Sequence, residues 1–169
     1  MKILKTKRTL AVLAAAAALM ACSPKYDWRD FRSSDAPFSV LFPGKPATHS
    51  RVINLDGQQV NMSMAAAEVE GTMFAVGSVE LPDADKAAQA VQAMKAQMVR
   101  NIGATVNKES TKDGAFLVDA SGVQNGTPMR MHARFLSQGK RAYQVVVVGR
   151  SKEINDEVVD TFISSFKLN

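Results

Sequence analysis

The stretch Arg141-Ala142-Tyr143-Gln144-Val145-Val146-Val147-Val148-Gly149 decides the fold. From Tyr143 to Val148 it is apolar at nearly every position, which is the pattern of a strand covered on both faces rather than one with a wet side. Such a strand needs neighbours on both edges and layers above and below, so it predicts the centre of a sheet. The turn dipeptide Gln138-Gly139 precedes it, and Pro128 to Ser137 reads as the strand before that turn. Working further back, Asn125-Gly126 and Asp113-Gly114 punctuate strands at Ala115–Ser121 and Ala104–Ser110, which is hairpin chemistry repeated.

Between Pro82 and Asn101 the period changes. Ala87, Val91, Met94, Met98 and Ile102 recur at spacings of three and four and define one face of an amphipathic helix. Asp83 or Asp85 is placed to cap its start and Gly103 to end it. Its many alanines favour helix and permit close approach to a sheet. Upstream, Phe38–Phe42 closed by Pro43-Gly44, Thr48–Leu55 closed by Asp56-Gly57, a period-2 strand through Val60, Met62, Met64 and Ala66, and Met73–Leu81 after Glu70-Gly71 read as a four-strand meander. Downstream, Ser151 is placed to cap a last helix with Ile154, Val158, Phe162 and Phe166 on one face. The expectation is an α+β fold: an antiparallel sheet with two helices, one on each side.

The N-terminal residues carry a different signal. Lys2, Lys5, Lys7 and Arg8 precede an apolar run from Leu10 to Met20, too short to span a bilayer, which takes roughly 20 apolar residues. A basic flank and a run of this length match a secretory signal. The run ends in Leu19-Met20-Ala21-Cys22, which resembles the lipobox of bacterial lipoproteins. That resemblance implies cleavage between Ala21 and Cys22, lipid (diacylglyceryl and palmitate-type acyl chains) on the Cys22 thiol and, with Ser23 rather than Asp after it, sorting to the outer membrane on its periplasmic side. A plain signal that happens to end near a cysteine is the alternative. Cys22 is the sole cysteine, and an exported protein ordinarily pairs its thiols or has none, so lipid accounts for it better.

The expected organisation is then a signal at 1–21, a lipidated N-terminus and polar tether at 22–36, and a globular domain at 37–169. Four of the 21 basic residues lie in the signal, so the processed chain keeps 17 against 16 acidic ones. That near-neutral balance, without a basic stripe, speaks against nucleic acid as a partner. Fully extended, residues 23–36 reach ~45 Å. Tyr26, Trp28 and Phe31 interrupt this segment, either as a docking element or folded back onto the domain.

The FSVLFPGKP opening, the hairpin-rich middle, the alanine-rich helix, RAYQVVVVGR and the TFISSFKL ending together resemble the PsbP-like superfamily, over about Pro37 to Leu168. YDWRDFRSSDAPFSVLFPGKP is also similar to uncharacterised proteobacterial lipoproteins that share this domain. The resemblance implies an α/β/α sandwich that binds or stabilises a larger assembly, and it supplies no catalytic residue to carry over.

Nor do the residues themselves assemble an active site. There is no Gly-x-Ser-x-Gly, HExxH, paired CxxC or phosphate loop, and His49 and His132 are far apart in sequence. Glu68 and Glu70 share a strand end, where a solvated edge is the plainer reading than an acid/base pair. Asp56-Gly57 and Asp113-Gly114 lack the ligand ladder of a calcium loop. Expected, therefore, are no catalytic residues, no cofactor and no metal. Two features keep a binding role open. Arg130, His132 and Arg134 alternate with Met129, Met131, Ala133 and Phe135, so three cationic groups in a row could receive an anion or an acidic partner; arginine stems lying along a covering helix are the alternative. Met62, Met64, Met73, Met129 and Met131 lie on predicted strands and could hold Cu(I), though methionine is also an ordinary core filler. The leading expectation is a non-catalytic envelope lipoprotein that binds another envelope protein. A small-anion or metal-binding module comes second and an enzyme third.

Overall fold

In the computed structural model, residues 25–169 are described. The lipobox-like Leu19–Cys22 motif, with the expected cleavage and lipidation positions Ala21 and Cys22, lies outside the described residues.

The elements run β1 (Arg29–Arg32), β2 (Phe38–Phe42), β3 (Ala47–Leu55), β4 (Gln58–Val69), β5 (Thr72–Glu80), α1 (Ala84–Asn101), β6 (Ala104–Lys112), β7 (Ala115–Gln124), β8 (Thr127–Gln138), β9 (Arg141–Arg150), α2 (Asp156–Ser165) and β10 (Lys167–Leu168). Seven strands form one antiparallel sheet in the order β3-β4-β5-β9-β8-β7-β6. β9 is fourth of the seven, and Ala142 to Val147 are all buried, so the RAYQVVVVG stretch stands at the centre as its composition demands. The fold is α+β with a large antiparallel sheet.

Four of the hairpins turn on a residue pair with both φ angles positive: Asp56-Gly57, Glu70-Gly71, Asp113-Gly114 and Asn125-Gly126. This backbone twist matches the twist of the flanking strands and admits few residues other than Asn, Asp and Gly, which explains why the turns are legible. At the β8–β9 turn the loop residues are Gly139 and Lys140, while Gln138 stays in the ladder opposite Arg141.

Side chains alternate across β9 and sort two cores onto opposite faces. Tyr143, Val145 and Val147 pack with Phe74, Val158, Phe162 and Phe166 on the α2 face. Ala142 and Val146 pack with Ala87, Ala90, Val91 and Met94 on the α1 face. Asp83 caps α1, its carboxylate accepting the Lys86 N–H at 2.8 Å, and Gly103 (φ 58°) ends the helix in the left-handed region.

Three expectations are corrected. β2 is not the first strand of a meander, because it forms a separate three-stranded sheet between β1 and β10. Pro43-Gly44-Lys45-Pro46 cannot make a two-residue hairpin, and two prolines remove ladder donors just where pairing with β3 would begin. The expected tether is only partly a tether: Arg29–Arg32 pairs with β2, and Tyr26, Trp28 and Phe31 fold back onto the α2-face core. Ser151 does not cap α2. Its N–H goes to Pro128 O, and the Asn155 side chain accepts from the N–H groups of Glu157 and Val158 instead. Ile154 and Phe166 flank that helix and still pack on the same core.

Candidate functional site

The alternation of β8 places Arg130, His132 and Arg134 together on the α2 face, with Met131, Ala133 and Phe135 buried on the other. The row is not a free cationic ladder. Arg130 donates to Asp119 on β7 at 3.1 Å and to Asp156 at the start of α2 at 3.0 Å, so it staples the helix to the sheet. His132 lies opposite Asp119 in the β7–β8 register, with Nδ1 3.5 Å from that carboxylate and Nε2 3.8 Å from Asp156. Both distances are too long for hydrogen bonds, and His132 Nε2 is buried without a partner among the described residues.

Burial holds the His132 pKa below its ordinary value, the Arg130 charge adds to the effect, and together they outweigh Asp119, Asp156 and Asp160. His132 is therefore a neutral imidazole at neutral pH despite two neighbouring carboxylates. Burial acts to raise Asp119, but the Arg130 hydrogen bond, the His132 site and Asn107 prevail and keep its carboxyl below the usual range. Arg134 stands apart from this network. Its guanidinium lies 5.9 Å from the Phe166 ring centre and borders a groove with Lys112, Asp113 and Asp160. Of the three positions, Arg130 is thus occupied in holding α2 down, and His132 is buried beside it without a charge.

The methionines divide as well. Met62, Met64 and Met73 border one cavity of about 300 Å³ between the sheet and the C-terminal half of α1, where Met94 and Met98 join them. Met131 is instead buried in the continuous core, and Met129 is not part of the cavity. Five thioethers thus stand around a void of roughly ten water volumes. Leu55, Ala75 and Val146 complete an apolar floor.

Polar residues also reach this cavity, and most are already engaged. Asn54 Oδ1 accepts the Gly57 N–H of the β3–β4 turn, while Gln97 donates to Asn101 and accepts from Arg100 at the mouth. Gln144 and Arg51 are different. Gln144 is 6% exposed and lines the cavity, and its carboxamide is not among the fully buried groups left without a partner. It lies across the ladder from Gly77, where a Cβ would come within 3.0 Å of Gln144 Cγ. Arg51 is exposed at the rim, with no ion pair among the described residues. The pattern reading missed this site, although one signal was in view: Gln144 is the only amide in the central strand β9.

The remaining sequence-derived positions stay dispersed. Glu70 sits in a turn and pairs with Lys25 at 2.7 Å, so it makes no acid/base pair with Glu68. His49 lies opposite Met64 on the exposed β3, on the other face of the sheet from His132. Among the described residues no cluster of three or more His, Cys, Asp or Glu could hold a metal, and no helix is long and apolar enough to cross a membrane. No protein-family model matches the chain, and no curated protein sequence matches it.

Proposed function

We propose that the chain is a lipid-anchored, non-catalytic binding protein of the bacterial envelope, with a PsbP-like α/β/α domain whose working site is the cavity beneath α1. The observation that carries the reading is the Gln144 carboxamide, on a 6% exposed residue of the central strand, at the wall of an apolar void between helix and sheet. Ligand sites are concave, mostly apolar and furnished with a few convergent polar groups, and this void has that composition. The N-terminal signal and Cys22 support the anchor, and Ser23 supports the outer membrane as its address. The antiparallel sheet with a helix on each face supports the PsbP-like assignment.

Labelling cells with an alkyne fatty acid tests the anchor. Label on the wild type, absent from Cys22→Ser with release of that variant from membranes, is expected; membrane retention of Cys22→Ser defeats it. Mass spectrometry of small molecules released on denaturing the protein taken from envelopes tests the site, and a bound compound lost on Ala75→Phe is expected.

The second reading, attachment to another envelope protein, is favoured by β3. This nine-residue strand ends the sheet, no described strand pairs with its outer rim, and Val52 on it is 65% exposed. A free edge accepts a partner's strand. Cross-linking in envelopes that gives one stoichiometric partner through β3 would establish it.

A further inference from the structure

We infer that the cavity takes a small aromatic molecule carrying a hydrogen-bonding group at its inner end and a negative charge at its mouth. The inference rests on the cavity being the working site and names the chemistry of its occupant.

Size comes first. A void of about 300 Å³ accommodates on the order of ten non-hydrogen atoms, at roughly 30 Å³ for each water-sized group. That is a fused pair of rings rather than a long acyl chain. The walls come next. Met62, Met64, Met73, Met94 and Met98 present thioethers from two strands of the sheet and from the helix, and sulfur packs favourably against aromatic rings while the flexible side chains adjust to their outline.

Polarity then orients the occupant. A purely apolar guest would leave the Gln144 carboxamide desolvated and unbonded, which costs more than an ordinary hydrogen bond returns. A hydroxyl or carbonyl beside it removes that cost, since the amide both donates and accepts. Position 77 is glycine where any Cβ would crowd the Gln144 side chain, so the backbone there leaves room for this amide. At the rim Asn54, Gln97 and Asn101 are already bonded within the protein, which leaves Arg51 as the unpaired cation facing a guest's solvent end.

Three naphthalene probes separate these contributions: methylnaphthalene, naphthol and hydroxynaphthoate. They are titrated by fluorescence into the full chain carrying Cys22→Ser. Naphthol is expected to bind about tenfold more tightly than methylnaphthalene. Hydroxynaphthoate should gain a further few-fold that fades with salt. Gln144→Leu, close in volume, should erase the first step and leave methylnaphthalene bound, and Arg51→Gln should erase only the second. Gly77→Ala, which pushes on the carboxamide without removing it, should weaken naphthol alone. If none of the three probes binds the folded chain, the cavity is not a binding site and the proposed function falls with the inference. If all three bind alike, and equally in Gln144→Leu, the cavity stands and the inferred chemistry is overturned. Equal loss of naphthol and methylnaphthalene in Gly77→Ala also overturns the role given to Gln144.

Discussion

On the α2 face of the seven-stranded sheet, rings interlock: Phe42 and Phe74 meet Phe162 at 5.3 and 5.4 Å between centres, and Phe38 meets Phe166 at 5.5 Å. Tyr26, Trp28, Phe31 and Tyr143 extend the same packing. The α1 face is made mainly of alanine, valine and methionine, joined by Leu55, Leu81 and Ile102, with Phe135 and Phe116 as its aromatic members. Ala87 and Ala90 let the first half of α1 sit close, whereas the second half stands off over the methionines and leaves the cavity. Rings are rigid and large and bury much apolar area in fixed geometry. Thioether chains fill space without fixing it. One face is built to hold and the other has room to receive, although both pack against the same strands.

The largest expected effect falls on the interlocked face. Phe162→Ala removes a fully buried ring that touches two others and should cost about 3–5 kcal/mol in urea unfolding. A loss below about 1 kcal/mol would show that the face is not rigid. Next, alanine-to-leucine substitutions on opposite faces should differ in sign. Ala65→Leu on the α2 face overpacks and costs about 1–3 kcal/mol. Ala75→Leu fills the cavity and should be neutral or stabilising by up to about 1 kcal/mol. Equal losses at both positions, read from thermal melts, would break the contrast. Met94→Leu, which conserves volume on the α1 face, should cost less than about 1.5 kcal/mol even though Met94 is buried.

The smallest effect is pH dependence on the α2 face, set by His132 among Arg130, Asp119, Asp156 and Asp160. Its folded pKa lies below the ordinary 6.5. In that window the unfolded chain takes up a proton that the folded chain refuses, so stability declines as pH falls from 6.5 and levels off below the folded value. Asp119 works at lower pH: its folded pKa is below 3.8, and the stability it contributes is lost as pH falls through that value. Denaturation midpoints across a pH series should show the upper decline in the wild type and lose it in His132→Gln. An unchanged profile in that variant would assign the decline to another group.

How far the sequence discloses this arrangement depends on the range of each interaction. The centrality of β9, the positive-φ turns and the limits of α1 follow from neighbours in the chain, so Val145 to Val148, Asp56-Gly57 and Asp83 announce them. β1 was illegible because Arg29–Arg32 holds one apolar residue, and β10 because two residues carry no period. The row at Arg130, His132 and Arg134 was legible as a row. Its neutralisation was not, because Asp119 and Asp156 arrive through a strand register and a helix position far along the chain. The cavity lay deeper still, since it depends on Gly77 falling opposite Gln144 and on α1 crossing above them.

The small sheet has a topological consequence. β1 and β10 flank the same strand, with Arg29 opposite Phe42 and Leu168 opposite Phe38. Two interstrand steps of about 4.8 Å and four residues of about 3.3 Å put these strand ends roughly 16 Å apart. A linker of about six residues could bridge them. The fold is then a ring that can be reopened at any exposed turn. A circular permutant cut at Asp56-Gly57 should close the same two cores with its strands made in a different order.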